Sequence, residues 1–171
     1  MGSWELFRRY IPFYLASMLR QYILKNISNS LNRACGNTTS TVLSYDTCQQ
    51  PIYHYLCRLQ KHFDCSCSCY IVCAIYIDRI IKSGIVVDVL NVRNIAALAL
   101  VLAIKYLEDI IYPNRFYADI TRLPLKIFLQ FETKVLKTLS YALYVTPTIY
   151  HRYVTILIIP PTKKRSRNEN R

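Results

Sequence analysis

Glycine is nearly absent from this sequence, with 3 among 171 residues, and tight turns are correspondingly few. Against many Leu, Ile, Tyr and Ala, that scarcity points to a mostly helical chain. Histidine is equally scarce: His54, His62 and His151 are the only three, and none stands beside a plausible nucleophile. There is no Gly-rich phosphate loop, no GxSxG and no HExxH, so the usual signatures of nucleotide, acyl-transfer and zinc-protease chemistry are missing. No catalytic residue, cofactor or small-molecule substrate is expected. Acidic residues are also few, 10 against 22 Lys and Arg, giving a formal charge of +12. That balance allows nucleic acid, an anionic membrane surface or an acidic protein as partner. The basic residues do not form a long stripe interleaved with aromatics, so nucleic acid is not favoured. A run long enough to span a bilayer, about 20 apolar residues, is lacking as well.

What the sequence does have is apolar content, 53% of residues, in a chain long enough to bury one core. It is concentrated in residues 91–109, NVRNIAALALVLAIKYLED, where positions 95–104 are all apolar. A helix apolar all round belongs at the centre of a bundle, and the alanines at 96, 97, 99 and 103 let neighbouring helices approach. This segment is the expected central helix, opened by Asn91. Around it, a first core helix carries Ile52, Tyr55, Leu56 and Leu59 at helical spacing and ends near Phe63, with Pro51 in its first turn. The segment SCYIVCAIYIDRIIK follows, capped by Ser66 or Ser68 and broken at Ser83-Gly84. After Tyr112-Pro113-Asn114 comes a helix of at most two turns, and Pro124 starts a last core helix, PLKIFLQFETKVLKTLS. Outside this core, residues 1–43 read as an extension, with one helix over 12–24 and a polar linker. Its apolar positions are Phe13, Leu15, Met18, Leu19, Tyr22 and Ile23, and the helix packs on the domain or lies on a membrane surface. A further helix is expected over 147–160, then a disordered basic tail over 161–171.

Two charges are out of place. On the last core helix, Leu125, Phe128, Leu129, Leu136 and Leu139 form an apolar stripe, and Glu132 falls within it. Lys105 is the one charge in the otherwise apolar stretch of the central helix. A carboxylate on a buried face must find a partner or lose its charge, so the two are expected to pair where both helices emerge at one edge of the bundle. Such a pair either joins helices only or offers directed hydrogen bonds to a partner's backbone. Asp78 and Arg79 are expected to be structural, each making its own helix-joining contact, since adjacent helical residues point about 100° apart. Cys65, Cys67, Cys69 and Cys73, with His62 just upstream, have the density of a zinc site, but no second cysteine or histidine pair completes it. Small buried hydrophobes account better for Cys69 and Cys73, and no metal is expected. No secretory signal is visible at the N-terminus, which favours the cytoplasm or nucleus and reduced cysteines. The sequons at Asn26 and Asn37 are then accidental. The basic tail fits nuclear import and a solvated charge run equally.

Several motifs in order carry a family resemblance over about residues 44–153. CSCSCYIVCAIYIDRII is similar to a Ser-rich helix cap followed by a tyrosine-centred YLDR ending, here Tyr76-Ile77-Asp78-Arg79. NVRNIAALALVLAIKYLED resembles an Asn-Val opening, an alanine-rich core and an Ala-Lys-Phe-x-Asp close. YPNRFYADITRLPLKIFLQFE runs without a gap along a YNNxYYAxVGGIS…LE pattern, with Tyr112, Asn114, Phe116, Tyr117, Ala118 and Glu132 in place. These stretches resemble motifs of the cyclin box, most closely those of P/U-type cyclins. The resemblance implies an all-α, five-helix cyclin box over 44–146 around a buried central helix, with extra N- and C-terminal helices. It implies a non-enzymatic regulatory subunit that binds and activates a cyclin-dependent kinase. Lys105 and Glu132 would then grip the kinase near its regulatory helix, with Leu107 and Phe128 filling an apolar contact. A cyclin-fold module for nucleic acid or transcription machinery, and a kinase scaffold that does not activate, are the alternatives. The family's His-Arg is Arg93-Asn94 here, its Gly-Gly is Thr121-Arg122, and its capping Ser is Pro124. The first core helix lacks the arginine-led motif with which cell-cycle cyclins dock substrates.

Overall fold

A computed structural model describes residues 3–33 and 45–158. The polar stretch 34–44 and residues 159–171, including the expected basic tail, lie outside the described residues. The described chain is all helical: α1 (Ser3–Arg33), α2 (Tyr45–Phe63), α3 (Cys67–Lys82), α4 (Val92–Leu107), α5 (Asn114–Thr121), α6 (Leu125–Thr138) and α7 (Pro147–Ile158).

The centre is α4, in which Val92 and every residue from 95 to 104 are buried. Its main neighbour is α3, buried from 69 through 77 and again at Ile80. Helices α2, α5 and α6 close the remaining sides of α4, while α1 and α7 pack on the outer face of α3. Two apolar helices side by side have no face left for water, so five others must cover them. Short side chains at Cys73, Ala96 and Ala99, all fully buried, fit that close approach, and the Cys73 thiol donates to the Ala96 carbonyl.

At the N-terminal end the helix is longer than the periodicity suggested. The expected linker is helical through Arg33. The buried side chains of α1 among the described residues include Ile11, Leu15, Ala16, Leu19 and Ile23, while Phe13 stands 47% exposed. The stripe follows steps of four residues from Ile11, which places Phe13 on the far side. Pro12 sits inside the helix, where it cannot donate to the carbonyl of Arg8. The Gln60 side-chain amide of α2 supplies that missing donor. Helix α2 likewise begins at Tyr45, upstream of Pro51, rather than with Pro51 in its first turn.

Boundaries elsewhere follow local chemistry. Gly84 takes φ +93 at the end of α3. Three other helices are followed by positive-φ residues that are not glycine, Asp64 (φ 35) after α2 and the endings of α5 and α6. After α5, Arg122 (φ 60) donates its backbone N–H to Asp119, and Leu123 donates to Ala118. After α6, Ser140 and Tyr141 (φ 51 and 57) do the same to Lys137 and Leu136. Both are Schellman endings, in which paired reverse bonds satisfy carbonyls that the helix leaves free.

Candidate functional site

Lys105 lies in the last turn of α4, where the helix dipole favours a cation. Its ammonium donates to Glu132 of α6 and to Asn114, the first residue of α5. It also stands 5.7 Å from the ring centroid of Tyr117. One side chain thus ties the end of α4 to the start of α5 and the middle of α6. The Lys105 side chain is 21% exposed and that of Glu132 is 12% exposed. The pair is therefore neither sealed in the core nor fully solvated. It sits at the rim, reachable by a partner and screened little by salt.

The two charges meet as the sequence pattern requires, although the face of α6 differs from the expected one. Phe128 is fully buried, Val135 and Leu139 nearly so, while Leu125 and Leu129 are each 40% exposed. At about 100° per residue, the buried stripe is centred nearer Phe128 and Val135, roughly 90° from a stripe through Leu125 and Leu129. Glu132 consequently lies at the edge of the buried face, where it can pair with Lys105 and still meet water. This corrects the expectation for Phe128: its ring supports α6 from beneath and offers no surface to a partner. Leu107, by contrast, is 41% exposed, and Ile110 (81%) and Ile111 (54%) follow it. Leu129 and Leu125 precede Glu132 by one and two turns. The charged pair is flanked in sequence on both helices by exposed apolar side chains, a combination that marks interaction surfaces.

Sequence reasoning singled out neither Asn114 nor Tyr117 as partners of Lys105. Tyr117 is buried in an aromatic group with Phe63 (5.4 Å between centroids) and Phe116 (5.7 Å). Its hydroxyl accepts the Tyr112 N–H. That group fixes α5 so that Asn114 faces Lys105. The density of aromatics between 112 and 117 was the available signal.

Asp78 joins helices, whereas Arg79 ties α3 to the non-helical segment after α6. Asp78 accepts from Tyr22 of α1 (2.7 Å), Tyr153 of α7 (2.8 Å) and Lys82 (2.7 Å). Burial pushes its carboxyl pKa up, but the bonds from Lys82, Tyr22 and Tyr153 together outweigh burial and hold it below the ordinary value. Burial and the bond to Asp78 in turn raise the Tyr22 hydroxyl to about 12. Arg79 instead clamps the segment after α6, donating to the carbonyls of Ala142 and Tyr144, while the Tyr76 hydroxyl takes Leu143 between them.

The cysteine-rich turn has its own use. The Glu108 carboxylate, at the end of α4, accepts from the Ser66 backbone N–H (2.9 Å) and the Cys69 thiol (3.1 Å). Both bonds lower its pKa, Cys69 contributing most. The start of α3 is thus capped by Glu108 through the backbone of Ser66, and no Ser66 side-chain cap forms. No group of three or more metal-ligating side chains assembles among the described residues. None of the described helices is long and apolar enough to cross a membrane.

The described residues thus form an all-helical bundle with a partly exposed charged pair where three helices meet. The sequence model of the cyclin family matches residues 21–143. The chain is 28% identical over 148 residues to Cyclin-P4-1 of Oryza sativa subsp. japonica, covering 84% of this chain and 70% of the relative. It is 29% identical over 135 residues to Cyclin-U4-1 of Arabidopsis thaliana, covering 76% and 67%. It is 27% identical over 140 residues to Cyclin-U3-1 of the same plant, covering 81% and 63%. The chain belongs to the cyclin family and carries a single cyclin box. Cyclins are regulatory proteins, and membership implies protein-kinase partners in general.

Proposed function

We propose that this chain binds and activates a cyclin-dependent protein kinase, acting in the cytoplasm or nucleus, with the Lys105–Glu132 pair as its anchor. The observation that carries this reading is the pair itself, joined and partly open to a partner. Glu132 accepts from Lys105 through one carboxylate oxygen, Oε1. Its second oxygen and the remaining ammonium N–H are directed groups for the backbone of a partner segment. Leu107, Leu125 and Leu129 supply apolar contact beside them. A helix of the kinase seated there would be pushed towards its own catalytic cleft, completing the Lys–Glu pair and metal site that phosphoryl transfer needs. Truncating either charge is expected to cost about 2–5 kcal/mol of binding, because the partner charge is left desolvated in the complex.

The test is a tagged pull-down from native lysate, with recovered partners identified and protein-kinase activity assayed on the eluate. Lys105→Ala/Glu132→Ala, checked for folding by circular dichroism, runs beside the native chain. Active kinase with the native chain and none with the variant is the expected result. A kinase recovered inactive would make the chain a scaffold. Equal recovery with the folded variant would remove the site, and recovery of no kinase would remove the function.

A further inference from the structure

A second, chemically different site lies at the other end of α4. A cavity of about 480 Å³ is bounded by α2, the start of α4 and the turn between α5 and α6. His54, Tyr55, Arg58, Arg93 and Arg122 line it, and no Asp or Glu does. None of the three arginines is held in an ion pair among the described residues. The contrast is Arg8, also next to α2, which is neutralised by Asp64 at 3.0 Å.

We propose that this cavity receives a phosphorylated side chain of a protein partner. Three observations carry the assignment. The guanidinium carbons of Arg58 and Arg93 stand 5.1 and 6.0 Å from the centroid of the Tyr55 ring, so two cations crowd one aromatic ring in a cavity that no Asp or Glu lines. Arg58 Nε and the Tyr55 hydroxyl are buried without any hydrogen-bond partner. A buried donor left unmade is costly, and most so on a charged group. The third observation is Arg122, which occupies the left-handed position of a Schellman ending. Glycine is the default there, yet this chain places an arginine that accepts the strained backbone and adds a third guanidinium to the cavity.

The chemistry of that set selects its ligand. Three planar forks and a phenol offer more donors than one carboxylate can accept. A phosphomonoester brings three oxygens and close to two negative charges, and arginine is the side chain whose geometry fits it. The volume falls in the range of about 300–1,000 Å³ typical of ligand sites, larger than a phosphoryl group needs. Flanking residues of a polypeptide would fill the remainder against Tyr55 and Leu123. A nucleic acid is the poorer fit, because its phosphates repeat along a track whereas these cations line a single cavity. Arg93 and Lys105 are twelve residues apart on one helix, about 18 Å along its axis. Both sites can be occupied together, and the assignment stands apart from the kinase reading.

The experiment uses the full chain and fluorescence anisotropy. The probe is a labelled short-peptide library with a fixed central phosphoserine, set beside the same library with serine. Inorganic phosphate and a single-stranded oligonucleotide serve as competitors. Binding of the phosphorylated library is expected to be at least roughly tenfold tighter, with inorganic phosphate competing. Arg122→Gly and Arg93→Gln are each expected to remove most of that preference. Arg122→Gly favours the native backbone, so loss of binding in it does not reflect unfolding, as a thermal melt would verify. Equal binding of the two libraries, or an unchanged preference in both variants, would overturn the assignment. So would an oligonucleotide that outcompetes the phosphopeptides and loses affinity in the same variants. Recovery of kinase through Lys105 and Glu132 is read in a separate assay, so either proposal can fail alone.

Discussion

Lys105 has two partners, Glu132 and Asn114, and at one-fifth exposure it is poorly placed to exchange either for water. Removing Glu132 alone leaves a mostly desolvated ammonium with a neutral amide. Removing both charges leaves only a packing defect at the rim. Lys105→Met and Glu132→Leu are therefore expected to destabilise by about 1–3 kcal/mol singly and by clearly less than their sum together. Urea melts of the four proteins in the cycle measure this, and strict additivity would mean the pair contributes nothing as a pair. Asp78 invites a pH test. Its folded-state pKa is lowered, so its contribution to stability is full above the unfolded value, about 3.9. The contribution is lost as pH falls through the lower folded value. Native protein should lose stability below about pH 4 more steeply than Asp78→Asn. Thermal midpoints between pH 2.5 and 5 would decide it, parallel curves counting against the bonds to Tyr22, Tyr153 and Lys82.

At the scale of elements, helix endings show where sequence and local conformation disagree. Arg122 and Ser140 both hold left-handed backbone where glycine would be unstrained. Ser140→Gly and Arg122→Gly are each expected to stabilise by roughly 0.5–1 kcal/mol, visible as a rise of a few degrees in Tm. Only Arg122→Gly should lose the phosphopeptide preference, which separates backbone relief from ligand chemistry. A fall in Tm for both would mean the side chains contribute more than the strain. Helices α3 and α4 were legible because an all-round apolar run has few other uses, and Pro124 marked the start of α6 as a proline at a helix boundary does. The face of α6 was less legible: periodicity fixes a period, but the phase depends on which of two rival stripes finds the larger cavity. Phe128 and Val135 won over Leu125 and Leu129 through contact with α4 and α5, which no local pattern encodes. Helix α1 was misjudged for a similar reason. Pro12 reads as a boundary, and only the remote Gln60 amide makes it tolerable inside.

For the whole molecule, the consequence is that α1 is part of the core and not an appendage to it. Its stripe of Ile11, Leu15, Leu19 and Ile23 is at most 2% exposed and covers α2 and α3. It is bonded to the rest at both ends, by Gln60 on Arg8 and by the Asn26 amide on the Val87 carbonyl. Burying four such side chains contributes about 1.5–3 kcal/mol each, comparable to the whole net stability of a domain, about 5–15 kcal/mol. A chain lacking residues 1–33 is therefore expected to lose cooperative unfolding, although it keeps the whole segment, about 44–153, that resembles the family's motifs. Leu19→Ala offers a graded version, expected to cost about 2–5 kcal/mol and to lower Tm by on the order of 10 °C. Calorimetry of both variants tests this. A sharp transition in the truncated chain near the native midpoint would show that α1 merely rests on a bundle complete without it. Kinase recovery should follow folding here, since Lys105 and Glu132 are held by α4, α5 and α6, whose packing depends on the α3 face that α1 protects.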